Sequence, residues 1–146
     1  MKRFHFPLER VRRWRLEQLN VEELKLQKVR ADRQLLAEAK QQMRDGLAKS
    51  RNDVLGQPSV LGLELENLDS YGIHVREMVR GFEKLELDAE AKVVEQRNRV
   101  LEARRQFELL DGLRVKALTK WHAEADREQE TLAAELFLSR STRNAG

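Results

Sequence analysis

The chain contains no cysteine, which removes disulfides, thiolate zinc sites and cysteine nucleophiles together. Aromatic residues are scarce, eight in 146, and there are only two prolines and seven glycines. So few rings beside 36% charged residues cannot close a broad core, and a globular enzyme is not expected. No uncharged run approaches the ~18 residues that a membrane span requires. The arginine-rich start lacks the apolar stretch of a secretory signal, so the expected location is the cytoplasm. Glycine-rich phosphate loops, a nucleophile elbow and paired histidines are missing as well. His5, His74 and His122 stand alone, which leaves no expected catalytic residue, metal site or cofactor.

What the sequence has is leucine, alanine, glutamate and arginine in helical periodicity. From Leu68, steps of four and three reach Gly72, Val75, Val79, Phe82, Glu86, Ala89, Val93, Gln96, Val100, Ala103, Phe107, Leu110, Arg114, Ala117 and Trp121. Twelve of these sixteen positions are apolar, where a composition of 40% hydrophobic residues would give about six. Such a sustained heptad row marks a coiled-coil seam. An earlier row, Leu19, Leu26, Val29, Leu36, Met43 and Leu47, marks a second helix, and Trp14, Val21, Leu24, Ala31, Leu35 and Ala39 are expected to widen its stripe.

Between the two rows, Asn52, Asp53, Gly56 and Pro58 each favour a turn. The pattern predicts an all-α, long antiparallel two-helix coiled-coil hairpin forming a single domain over 1–146. It consists of a helix over about 8–51, a turn with a possible short helix over 52–72, a longer helix over about 73–138 and a frayed tail over 139–146. At ~1.5 Å per residue the helices would measure roughly 65 and 100 Å. The longer one must therefore overhang, carrying Trp121, Leu132, Leu136, Phe137 and Leu138 toward a partner or a second copy.

Charge is distributed in blocks. Residues 1–15 hold Lys2, Arg3, Arg10, Arg12, Arg13 and Arg15 against Glu9 alone. Residues 64–95 carry nine acidic and four basic side chains, and residues 124–135 five and one. The basic start suits an acidic protein surface or a solvated helix end. Nucleic acid is disfavoured: Arg33 interrupts the Leu19–Leu26 row, and the strongest heptads follow the turn instead of a basic helix.

The opening Phe4-His-Phe6-Pro-Leu8-Glu-Arg-Val11, running into a charged helix with Arg13 and Glu17, resembles the start of the FliJ family of flagellar export proteins. Leu65, Leu68 and Tyr71 before the second helix, and Phe107-Glu-Leu-Leu-Asp-Gly-Leu-Arg followed by Trp121 and the stretch from Glu128 to Glu135, are similar to later blocks of that family. The resemblance implies a non-enzymatic component of type III export. Its paired termini would enter the hexameric export ATPase as a central stalk and stimulate it, through Arg10, Arg12, Arg13, Arg15 and Trp121. It further implies contact with the membrane export gate, through Tyr71, Val75, Met78 and Phe82, and with export chaperones. Membrane association would then be peripheral, through partners only. The alternative is a generic coiled-coil scaffold.

Overall fold

The structure, a computed structural model, describes residues 2–145. It consists of two α-helices, α1 (Glu9–Leu55) and α2 (Gly62–Ala145), packed against each other as an all-α hairpin. The α1 helix begins where the Glu9 amide donates to the Phe6 carbonyl at 3.1 Å, directly after Pro7, whose fixed φ suits a helix start. It ends at Leu55. The following Gly56 amide donates to the Asn52 carbonyl at 2.9 Å, and a Cβ at Gly56 would stand only 2.7 Å from that oxygen, so this close approach requires glycine. Pro58 then prevents the helix from resuming. The α2 helix opens with Glu64 and Leu65 amides donating to the Leu61 carbonyl, and the Glu64 carboxylate complements the helix dipole.

The boundaries differ from the sequence reading in three places. α1 continues past 51 to Leu55, so Asn52 and Asp53, expected in the turn, are helical, and the turn begins only at Gly56. No separate short helix lies within 52–72, because α2 runs unbroken from Gly62; Gly72 is internal to it and buried against Leu47. The tail expected to fray is helical through Ala145, since nothing after Leu138 is proline or glycine until residue 146, which lies outside the described residues.

The chain divides into two compact units, one of Met1–Asn20 with Glu102–Gly146, the other of Val21–Leu101. In the second unit, Leu47, Val75 and Val79 form a buried cluster, with Met43 and Leu68 packed against it. The antiparallel sense, imposed by the short turn between Leu55 and Gly62, is visible in polar pairs whose α2 partner moves backward as α1 advances. Gln96 Nε2 donates to the Glu22 backbone carbonyl at 3.0 Å and to the Glu22 carboxylate. Lys40 Nζ meets Glu86 Oε2 at 3.1 Å, and Arg44 meets Glu83 at 3.4 Å. In the first unit, Arg12 pairs with Asp111 and Glu9 with Arg114 in the same sense.

All sixteen seam positions expected on α2 are buried or half-buried. On α1, Leu19, Leu26 and Leu47 are buried and Val29, Leu36 and Met43 half-buried. The residues expected to widen that stripe behave differently: Trp14, Val21, Leu24, Ala31 and Leu35 are exposed, and only Ala39 is half-buried. A single facing helix covers about a third of its neighbour's circumference, so the adjoining face stays wet.

This packing predicts a contrast between two small truncations on α2. Val75→Ala, at a site only 1% exposed, is expected to cost about 2 kcal/mol. Leu87→Ala, at a site 70% exposed, should stay within about 0.5 kcal/mol of the parent. Urea unfolding followed by circular dichroism distinguishes them, and equal costs would contradict the observed register.

Candidate functional site: a basic groove, an open helix end and a lateral apolar row

In the first unit, the segment before α1 has no regular secondary structure and packs against α2. Phe6 is buried at 6% exposure, and Phe4 meets Trp121 edge-to-face with centroids 6.0 Å apart. The alternation in Phe4-His-Phe6 is the period of an extended strand, which directs both rings to one side. The Arg114 guanidinium lies 5.9 Å from the Phe4 centroid, and Trp121 also contacts the ring of His122. These rings close the hairpin's open end like a clasp.

Around the clasp runs a groove of about 640 Å³. Arg3, Arg10, Arg13 and Arg114 contribute four guanidiniums to its lining, against the single carboxylate of Glu9. Glu9 holds the wall in place, pairing with Arg12 at 3.1 Å, Arg13 at 3.3 Å and Arg114 at 3.5 Å. One carboxylate cannot neutralise so many cations, so the groove keeps an excess of positive charge beside an aromatic wall. That combination suits an acidic surface bearing an apolar residue.

The four arginines singled out in the sequence have separate positions. Arg10 and Arg13 line the groove. Arg12 turns inward, with Nε and Nη2 both 3.0 Å from Asp111 and its guanidinium over the Phe107 ring at 5.4 Å, so its role here is to lock α1 to α2. Arg15 stacks on Trp14, 4.8 Å from the centroid. Trp121 is half-buried under Phe4 and borders a second groove with Lys2, Glu124, Ala125 and Glu128. Sequence reasoning missed Arg3, Phe4, Phe6 and Arg114 as parts of one site; the Phe-x-Phe alternation was the available signal.

Beyond Ala125, every described residue of α2 is exposed. Within this open end, Leu132, Leu136, Phe137 and Leu138 are 53–70% exposed. Six of the seven residues from Leu132 to Leu138 are apolar, and at 100° per residue they surround the helix.

In the second unit, the four residues expected to meet the export gate fall into two groups. Val75 belongs to the core, and Phe82 is a half-buried seam residue. Tyr71 and Met78 are 38% and 40% exposed, and Leu85, seven residues on at 51%, extends their row. The Tyr71 hydroxyl reaches α1 beside Gly46, where a Cβ would stand 3.4 Å from it. No described helix is long and apolar enough to cross a membrane.

Removing the clasp should be visible. Phe6→Ala is expected to cost about 3 kcal/mol of stability. In a Trp14→Phe background, Phe4→Ala should shift Trp121 emission to longer wavelength; unchanged emission would contradict the ring contact. Comparison of the chain with protein-family models, curated proteins and solved structures finds no match.

Proposed function

We propose that the chain is a non-enzymatic component of flagellar type III export, similar to the FliJ family, which enters the export ATPase ring as a central stalk and raises its turnover. The observation that carries this reading is the open end of α2. A helix with one apolar stripe fits a groove, whereas one that is apolar all round is stable only when enclosed. The segment from Leu132 to Leu138 has that character and no partner within its unit. A ring with an axial opening encloses a helix on every side.

Two further features support it. The clasp uses Phe4 and Phe6, the residues on which the family resemblance rests, and places a basic groove on the same unit as the open end. Arg3, Arg10, Arg13 and Arg114 would then meet acidic residues of the ring, while Arg12 keeps the helices together. The row of Tyr71, Met78 and Leu85 would serve the export gate or chaperones, with Val75 and Phe82 supporting it from the seam. The protein would work in the cytoplasm, reaching the membrane through the gate alone.

The test mixes the chain with a type III export ATPase and measures hydrolysis together with the mass of the complex. One chain per hexamer and faster turnover are expected. Leu136→Glu with Phe137→Glu should abolish stimulation, and Arg10→Glu with Arg13→Glu should reduce it at least fivefold; all four residues are exposed, so the fold is retained. Unchanged turnover with the unmodified chain would refute the stalk, and binding without stimulation would identify a scaffold. Separately, Tyr71→Ala with Met78→Ala is expected to weaken binding to the gate's cytoplasmic domain at least tenfold while leaving ATPase stimulation intact.

A further inference from the structure

The outer face of α1 in the second unit carries a second heptad row. Val21, Leu24, Lys28, Ala31 and Leu35 follow steps of three and four, as seam residues do, yet all five are exposed. Leu24 and Leu35 are 64% and 63% exposed and Val21 43%. Leu26, buried in the seam, stands two residues from Leu24 and so on nearly the opposite side of the helix. The row therefore points away from α2. Scattered surface leucines need no explanation, but apolar residues in heptad spacing present the surface that another helix packs into.

The flanking residues select the occupant. Lys25 and Asp32 border the row on one side, Gln27 and Gln34 on the other. A second copy of the chain laid parallel would stack Lys28 on Lys28 inside the row and leave Asp32 opposite a glutamine. Laid antiparallel, with Leu24 against Leu35 of the other copy, the same row places Lys28 over the small Ala31. On the flanks, Lys25 then faces Asp32 and Gln27 faces Gln34, each pair formed twice about the two-fold axis. The antiparallel arrangement alone sets the Lys25 cation against the Asp32 carboxylate and keeps Lys28 off its own copy; Lys25 and Gln34, which touch Glu22 and Glu38 within their own helix at 3.7 and 3.3 Å, are exposed and free to reorient.

We propose that the exposed row Val21–Leu24–Lys28–Ala31–Leu35 of α1 is a self-association surface, on which two copies pair antiparallel with Leu24 of each against Leu35 of the other. The contact covers fewer than twenty residues of one helix per copy, which places it among small, reversible interfaces of about 1,000 Å². This association is independent of the stalk reading, which uses the other unit's open end.

The experiment is sedimentation equilibrium of the full chain from micromolar to several hundred micromolar. A monomer–dimer equilibrium is expected. Leu24→Glu with Leu35→Glu should raise the dissociation constant at least tenfold with helicity by circular dichroism unchanged. Leu132→Glu with Leu136→Glu should leave it within twofold. Because the chain has no cysteine, a Leu24→Cys chain mixed with a Leu35→Cys chain reports the orientation, and the mixed disulfide should form faster than either like pair. A monomer throughout the range, a dimer lost in the Leu132→Glu, Leu136→Glu variant, or faster Leu24→Cys homodimers would each overturn the proposal.

Discussion

A narrow apolar seam can hold two helices together, but it does not by itself decide where one stops relative to the other. Sliding α1 by one heptad would still place leucine against valine. The polar members of the seam remove that freedom. Gln96 is 7% exposed and reaches both the backbone and the carboxylate of Glu22. A one-heptad slip would bury its amide without partners, at a cost of roughly 1–3 kcal/mol. Glu86 with Lys40 and Arg114 with Glu9 act in the same way, each within its own unit. Seam polarity that lowers the number of apolar contacts thus selects one register among several, as buried asparagine does in other coiled coils.

Everything placed on the surface follows from that register. Because Val75 and Phe82 are drawn into the seam, Tyr71, Met78 and Leu85 are left as a separate row on the flank. Because Arg12 is spent on Asp111, the groove's charge comes from Arg3, Arg10, Arg13 and Arg114. And because Phe4 meets Trp121, α2 is covered only as far as Ala125, beyond which its apolar segment stands alone.

The seam was legible because heptad spacing encodes which residues share a helix face, and the α2 row from Leu68 to Trp121 faces inward at every step. The limits of that signal are equally physical. Periodicity shows that Val21, Leu24 and Leu35 share a face, but not whether a second helix covers it, so the expectation that they widen the buried stripe fails and they are exposed. The Phe4-His-Phe6 alternation puts two rings on one side but does not say what they pack against, because the partner of Phe4, Trp121, is far away in sequence. A charge count sees Arg12 as equal to Arg10, although an aspartate ninety-nine residues away turns it inward. Residue 72 reads as the end of a short helix, yet Gly72 lies inside α2, because a single glycine costs a long helix only about 1 kcal/mol.

The register is tested most directly by spin-label distances within the second unit, where the absence of cysteine permits clean labelling. Labels at Lys25→Cys and Val94→Cys flank the Glu22–Gln96 contact from exposed positions. With labelled chains diluted in unlabelled ones, this pair should give one short distance below about 25 Å, consistent with helix axes 8–10 Å apart. Labels at Lys25→Cys and Arg80→Cys, the latter fourteen residues before Val94 in α2, should lie clearly farther apart, as ~1.5 Å of rise per residue requires. Equal distances for the two pairs, or the shorter one at Arg80, would contradict the register and the surfaces derived from it.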